Sequence, residues 1–366
     1  MNHKILAATP DSLVFFVDPA WRREMQHIPL LYPFWGNCLD KRHQPFHHAL
    51  FERYSFDTTR YSITEDAKTA DMVLMPYSHN LARRHAPDLI ELCVAEAKRQ
   101  GKLLLIDGVG DIEYSITLPN TLVLRYGGYR FSRAENEIII PSYADDLLQV
   151  YCGGQLQMRK KIGKAIVGFS GWAAVTPKQE MRAVIKELPM RIKSIFNSRY
   201  GAYKKGVFFR REAIDVLKRS SCVEAHFLVR SSYSGHSKTA TDTAEKLQTE
   251  FVDNVLGSDY ALDVRGDANN STRLFEILSL GRIPIIVDTE RNFPFSDKID
   301  YPSFSLVVDF RDIKQLPERI AEFHKNISPE QFEQMQRNAR DAYVHYFRVD
   351  ALMRPTMEEL LTHLPQ

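Results

Sequence analysis

Four residues, Ser271, Thr272, Arg273 and Glu276, have the types and spacing of an anion site at the start of a helix. The first turn of a helix leaves backbone N–H groups without internal partners and carries the positive end of the dipole, so negative charge is stabilised there. The hydroxyls of Ser271 and Thr272 and the guanidinium of Arg273 add donors at the same place, a set suited to a diphosphate. Glu276 lies three residues past Arg273 and shares its face. Helical side chains lean toward the N-terminus, which brings the Glu276 carboxylate toward the same ligand. There it could accept hydrogen bonds from ribose hydroxyls, as an acidic residue does in dinucleotide folds. The plain alternative is an ordinary surface pair between Arg273 and Glu276.

Positioning these side chains requires a strand, a polar loop, a helix and a buried strand in that order, and Tyr260 to Asp288, YALDVRGDANNSTRLFEILSLGRIPIIVD, supplies it. Asn270 or Ser271 suits the N-cap, Leu274, Ile277 and Leu278 form one apolar stripe, and Gly281 closes the helix before Pro284 opens the next strand. A second place where backbone N–H groups could meet phosphate is Ser170-Gly171, read as the turn after a strand at Ala165 to Phe169. As candidates for further charge around a diphosphate, Arg210, Arg211 and Arg230 compete with the default of solvated surface.

The rest of the chain frames this unit. Short apolar runs at Leu13 to Val17, Met72 to Met75, Leu103 to Ile106, Thr121 to Leu124 and Ile138 to Ile140 alternate with amphipathic stretches such as Asp88 to Arg99. Nearly all-apolar strands alternating with helices imply a parallel sheet covered on both faces. A Gly-Gly pair and the basic residues Arg159, Lys160, Lys161 and Lys164 within Tyr151 to Lys164 suit a linker. Beyond it a second series begins, with strands at His226 to Arg230, Tyr260 to Val264, Ile283 to Val287 and Ser305 to Val308. Helices are expected at Pro177 to Leu188, Glu212 to Arg219, Ala240 to Val255, Pro329 to Phe347 and Arg354 to Leu364. The expected division is a Rossmann-like domain over 1–155, a second over 156–345, and a helical tail over 346–366 that packs back on the first.

Composition narrows the functional classes. At 44% hydrophobic and 26% charged residues the chain is globular, and a net charge of +2 gives no reason to expect nucleic acid as a partner. No apolar run reaches the length of a membrane span, and the N-terminus has no signal-peptide pattern. The four cysteines form no C-x-x-C pair and read as reduced thiols in a cytoplasmic protein. Sequons at Asn269, Asn270 and Asn326 would matter only in a secreted chain. Asp40, His43, His47 and His48 alone have metal-like spacing, without the glutamate of a zinc helix, and no metal site is expected. The aromatic run Tyr32-Pro33-Phe34-Trp35 could stack on a sugar, although core packing is the commoner fate of such a cluster.

Taken in order, Arg265-Gly266-Asp267, Ser271, Arg273-Leu274-Phe275-Glu276, Gly281 and Ile283 to Val287 resemble the C-terminal motif of the exostosin-like glycosyltransferases, glycosyltransferase family 47. Thr64 to Tyr77, Glu137 to Tyr143 and Tyr301 to Asp309 resemble further family segments in the right sequence, so the resemblance spans roughly residues 50 to 345. It implies a GT-B fold of two facing Rossmann-like domains. It also implies an inverting transferase that uses a nucleotide diphosphate sugar, with a uridine nucleotide expected, and needs no metal or other cofactor. Carried over, Arg265 and Arg273 lie near the diphosphate with Asp267 and Ser271 in the donor site, and Glu276 meets the ribose. Inversion needs a general base, for which Asp111 and Asp107, after the strand at Leu103 to Ile106, are the candidates; each also reads as a loop cap. Many family members carry an Asp-His pair after a glycine where this chain has Gly108-Val109-Gly110-Asp111. That departure leaves the base open, and the lack of the family's membrane anchor points to a cytoplasmic enzyme, with peripheral contact at the inner face of the membrane, acting on a saccharide or glycolipid acceptor. The competing reading is a catalytically inactive nucleotide-binding partner subunit of a glycosyltransferase complex.

Overall fold

A computed structural model describes residues 12–110, 114–231 and 243–364. The chain divides into two compact units. The first runs to Tyr126, takes in Arg133–Pro141 and resumes at Tyr346; the second comprises Gly127–Ser132 and Ser142–His345.

Among the described residues the first unit holds one parallel sheet of six strands, β1 (Leu13–Phe16), β2 (Tyr61–Thr64), β3 (Met72–Leu74), β4 (Leu103–Asp107), β5 (Thr121–Arg125) and β6 (Glu137–Ile139), in the order β2-β1-β3-β4-β5-β6. Helices α1 (Tyr32–Trp35), α2 (Pro45–Arg53), α3 (His79–His85) and α4 (Pro87–Gln100) connect them. The apolar face of α4 repeats at Leu89, Cys93 and Ala97, all buried, and the helix stops where Gly101 adopts a left-handed φ of +63°. β2 has no strand signal in the sequence, because YSIT lacks an apolar run; pairing with β1 and burial of Tyr61, whose hydroxyl donates to the Leu30 carbonyl at 2.9 Å, make it a strand.

The second unit holds β7 (Ile166–Trp172), β8 (Glu224–Arg230), β9 (Tyr260–Asp263), β10 (Ile283–Asp288) and β11 (Leu306–Asp309), all parallel, in the order β11-β10-β9-β7-β8. Its helices are α5 (Leu147–Cys152), α6 (Pro177–Phe196), α7 (Gly206–Arg219), α8 (Ala244–Leu256), α9 (Thr272–Ser279), α10 (Leu316–Asn326) and α11 (Pro329–Ala342). Side chains alternate across the sheet: Tyr260 and Leu262 join one core with Val167, Phe169 and Phe332. Ala261 joins the opposite core with Phe251, Val255 and Ile277. Covered on both faces, the strands can be apolar throughout, as the sequence pattern required. A final helix, α12 (Met353–Leu361), belongs to the first unit, where Glu359 pairs with Arg133 at 3.6 Å.

Three local expectations change. α6 continues through Pro189 to Phe196, α7 begins six residues before Glu212, and the helix expected to reach Phe347 ends as α11 at Ala342, followed by a π-helical turn over Tyr343–Phe347. The basic stretch read as a linker is bound to the second unit. Arg159 pairs with the buried Asp259, its N–H donates to Gln336 at 2.9 Å, and Lys161 donates to the Ile327 carbonyl at 2.8 Å. Upstream, Leu147 and Leu148 of α5 pack against Phe251, Val252 and Val255, so the chain joins the second unit from Ser142.

Arg340 fastens that junction with a two-pronged pair to Asp146, at 2.6 and 2.8 Å, and a further bond to the Ser279 carbonyl at 2.6 Å. Asp146 is almost fully buried, so removing the guanidinium takes away the ion-pair partner of a buried charge. Arg340→Ala is expected to cost about 3–5 kcal/mol in a chemical-denaturation titration, and Arg340→Lys measurably less. Equal stability of wild type and Arg340→Ala would refute the role.

Candidate functional site

The order of the second sheet places a topological switch between β7 and β9, because the chain leaves β7 for β8 on one side and continues from β9 on the other. Ligands of open parallel sheets bind outside the carboxyl ends of the strands at such a point. Here the end of β7 supplies Ser170 and Gly171, and the segment after β9 leads into α9. The two meet directly: Arg273 Nη2 donates to the Ser170 carbonyl at 3.0 Å, and the guanidinium lies 4.7 Å from the Phe169 ring centroid. Ser170 and Gly171 form no turn. They continue β7 in register with Leu228 and Val229 of β8. Gly171 has φ +152°, and a Cβ there would strike Arg273 Nη2, so the glycine keeps that approach open. The Ser170 hydroxyl oxygen is buried without a hydrogen-bond partner among the described residues. Such a group calls for an explanation, and a bound ligand or water is the usual one.

Beneath α9 the site rests on Asp263, the fully buried last residue of β9. Its Oδ1 accepts from the Ser271 hydroxyl, and its Oδ2 accepts from Arg291 Nη1 at 2.7 Å. Ser271 occupies the N-cap with extended backbone (φ −155°, ψ 112°), but its hydroxyl turns to Asp263 and makes no capping bond. The N-terminal N–H groups of α9 are thus not closed off by their own cap. Arg291 is held in turn by Asp288, which accepts its backbone N–H at 2.8 Å and pairs with Arg130 at 2.9 Å. Asn269 fixes the loop between: its amide donates to the Gly128 and Thr289 carbonyls at 3.1 and 3.0 Å, and its oxygen accepts from Thr289 Oγ1 at 2.6 Å. That sequon side chain is buried and fully used.

The other expected donor residues separate. Thr272 and Asp267 are exposed at the helix start and in the loop. Glu276 is half-buried; burial raises its pKa, opposed by the charge of Arg273 and by a hydrogen bond from Gln248, so Arg273 and Glu276 do act on each other across one face. Arg265 is not presented alongside Arg273. It is buried, and its two Nη atoms donate to the carbonyls of Ala202, Lys204, Gly266 and Asp267 at 2.7, 2.6, 3.3 and 3.0 Å. Four of its five N–H donors are thereby committed to backbone, which makes Arg265 the clamp between the loop after β9 and the start of α7. Gly206 permits the same approach, since a Cβ there would meet the Gly266 and Arg265 carbonyls. Arg210 donates to the Val264 and Trp172 carbonyls at 3.1 and 3.2 Å, Arg211 pairs with Glu180, and Arg230 pairs with Glu250.

In the first unit Asp107 ends β4, buried, with Oδ1 accepting the Val109 N–H at 2.9 Å. Burial pushes its pKa up to about 6, against the Val109 hydrogen bond and the charge of Arg125. Asp111 lies outside the described residues. Arg125 grips the segment on either side of it, donating to the Gly108 carbonyl at 2.9 Å and the Tyr114 carbonyl at 2.6 Å while Glu137 holds its Nε at 3.0 Å. The aromatic run packs inward at Tyr32 and Phe34, the latter edge-on to Tyr61 at 5.5 Å, and Trp35 lies under Arg22 at 4.6 Å. Asp40 pairs with His43 at 2.7 Å.

Asp263, Arg291, Asp288 and Arg125 escaped the sequence reading. For Asp263, Asp288 and Arg125 the signal available was a charged residue closing an apolar strand, as in YALD, IPIIVD and TLVLR, because an ionised group at the buried end of a strand needs a partner; Arg291 carries no such signal.

Residues 202–323 match the family model described as the Exostosin GT47 domain. The Exostosin-1 homolog of Caenorhabditis elegans is 29% identical over 107 residues, covering 29% of this chain and 27% of that protein. The match therefore spans about a quarter of that relative's length. Among solved structures, a glycosyltransferase from Rickettsia africae ESF-5 aligns at 11% identity over 80% of this chain and 78% of its own, with a TM-score of 0.35. Anabaena Alr3699/HepE, solved in complex with UDP, aligns at 11% identity over 96% and 100%, with a TM-score of 0.40. Two parallel sheets flanked by helices make the fold of this chain α/β and GT-B-like.

Two measurements test the site's electrostatics. Asp263→Asn leaves the buried Arg291 charge uncompensated and should cost about 3–5 kcal/mol. Ser271→Ala removes one donor and should cost about 1–3 kcal/mol. Coupling between them in a double-mutant cycle of denaturant unfolding is expected to be non-zero, and strict additivity would count against a shared network. For Asp107 the folded carboxyl binds its proton more tightly than the unfolded one, whose pKa is near 3.8. Stability is therefore lost as pH rises from that value to about 6 and stays lost above it. Asp107→Asn keeps the acceptor for Val109 and should gain on wild type by about 3 kcal/mol between pH 4 and 7.5. A difference independent of pH would rule out the raised pKa.

Proposed function

We propose, from the premise that the chain carries an exostosin GT47 domain, that it is an inverting glycosyltransferase moving a sugar from a nucleotide diphosphate sugar to a saccharide or glycolipid acceptor. A uridine nucleotide is the expected carrier. The observation that carries this reading is the meeting of β7 and α9 at the switch point. There Arg273 reaches the Ser170 carbonyl beside the buried Ser170 hydroxyl, and it acts electrostatically on Glu276 of the same helix, a set that supports a diphosphate and ribose site at the start of α9.

In the proposed reaction an acceptor hydroxyl oxygen attacks the anomeric carbon as the bond from that carbon to the diphosphate oxygen breaks. The bonding electron pair leaves with the diphosphate, where Arg273 and the helix dipole stabilise the growing charge. The hydroxyl proton passes to a general base, for which Asp107 and Asp111 are the proposed residues. A carboxylate with a raised pKa, like that of Asp107, holds such a proton better than an ordinary one. Glu276 accepts from the ribose hydroxyls and so positions the nucleotide. Arg265 acts through the loop that it clamps. No resident metal or cofactor enters the proposal.

Thermal unfolding with UDP, GDP, CMP and dTDP tests the donor site. At a concentration of 100 times the dissociation constant a ligand stabilises the native state by about 2.7 kcal/mol. One nucleoside diphosphate is expected to raise the midpoint of wild type, with the shift abolished in Glu276→Ala and Arg273→Ala. The matching sugar nucleotide should then release free diphosphate, with kcat reduced at least about 100-fold in whichever of Asp107→Asn and Asp111→Asn removes the base. No shift with any nucleotide would overturn the donor site, and a shift without turnover would favour the partner-subunit reading.

A further inference from the structure

α6 is a 20-residue helix with one apolar face left open to solvent. Met181, Ile185, Leu188, Ile192, Ile195 and Phe196 are all exposed, Ile195 and Phe196 at 79% and 87%. Steps of four, three, four and three residues from Met181 to Ile195, with Phe196 at the edge, stack them along one side of the helix, which runs for about 30 Å. The opposite side, at Ala183 and Glu187, is the one that packs on the unit. Large apolar side chains aligned in this way mark a docking surface, because scattered exposure would not produce the helical period.

The charges beside the stripe say what docks. α6 carries two carboxylates, and both are engaged: Glu180 with Arg211, and Glu187 with Arg191 and the Lys205 N–H. Lys178, Arg182, Lys186 and Lys193 are exposed, and none meets a carboxylate among the described residues. Placed at 100° per residue, these four lie along one flank of the apolar stripe, so an apolar strip is bordered by uncompensated positive charge. The strip itself, from Ile195 round to Phe196, covers roughly 100° of arc, wider than the narrow seam of a helix pair. A second copy would also bring like charges together beside the seam.

We propose that α6 is a membrane-surface helix that lies in the plane of an anionic bilayer, its apolar strip in the acyl boundary and its lysines and arginine on acidic headgroups. Hydrophobic insertion and headgroup attraction then act from one element. Among the described residues no helix is long and apolar enough to cross a membrane. This inference stands apart from the donor site, since none of its residues belongs to that site.

Flotation of the full chain with vesicles tests it. Wild type should float with phosphatidylcholine vesicles containing about 30% phosphatidylglycerol, bind pure phosphatidylcholine at least about fivefold more weakly, and lose binding as salt rises. Ile185→Ser combined with Ile192→Ser and Ile195→Ser should weaken partition at least about tenfold while circular dichroism and the unfolding midpoint stay unchanged. Neutralising Lys178, Arg182, Lys186 and Lys193 to glutamine should remove the preference for acidic lipid. The proposal falls if wild type does not float or if both variants float as wild type does. It falls equally if wild type is a dimer that the triple substitution turns into monomer, because a second copy would then cover the strip.

Discussion

The second unit depends on a carboxylate kept away from water. Asp263 ends β9 with no exposure, and a charge in that position is tolerable only because Ser271 and Arg291 saturate its two oxygens. Those two partners lie in different segments. Ser271 sets where α9 begins, and Arg291 ties the residues after β10 to the end of β9, with Asp288 and Arg130 extending the same chain of charges. The position of α9 over the sheet is therefore set by electrostatics at its base, while apolar packing through Ile277 sets its depth.

Because Ser271 is occupied below, the helix start above it remains available. A capping serine usually satisfies one of the first N–H groups, and here it does not. Arg273 is oriented by the Ser170 carbonyl and the Phe169 ring, so its guanidinium is placed before any ligand arrives. Arg265 and Gly206 serve the same end from the other side, holding the loop after β9 against the first turn of α7 through backbone contacts. Preorganised positive groups of this kind are worth most in a reaction whose leaving group gains negative charge.

α6 follows a different logic. It is anchored along a narrow line and spends its acidic residues on the unit itself, which leaves apolar and basic side chains outward. An element built for stability alone would not expose Ile195 and Phe196 while burying Glu187.

Much of this was fixed by local sequence. The runs at Leu103 to Ile106, Tyr260 to Val264 and Ile283 to Val287 became strands because unbroken apolar stretches are stable only in a sheet covered on both faces. Thr272–Ser279 became a helix because the apolar stripe and the left-handed glycine beyond its end agree over a few residues. Tertiary structure alone decided the rest. The switch between β7 and β9 follows from strand order, which no local pattern encodes, and it turns Ser170 and Gly171 from an apparent loop into the end of a strand facing Arg273. The same motif held two arginines that the sequence could not tell apart. Only burial against the carbonyls of Ala202 and Lys204, more than sixty residues away, assigns Arg265 to the scaffold and leaves Arg273 at the site, because the use of a guanidinium depends on which acceptors the fold brings to it.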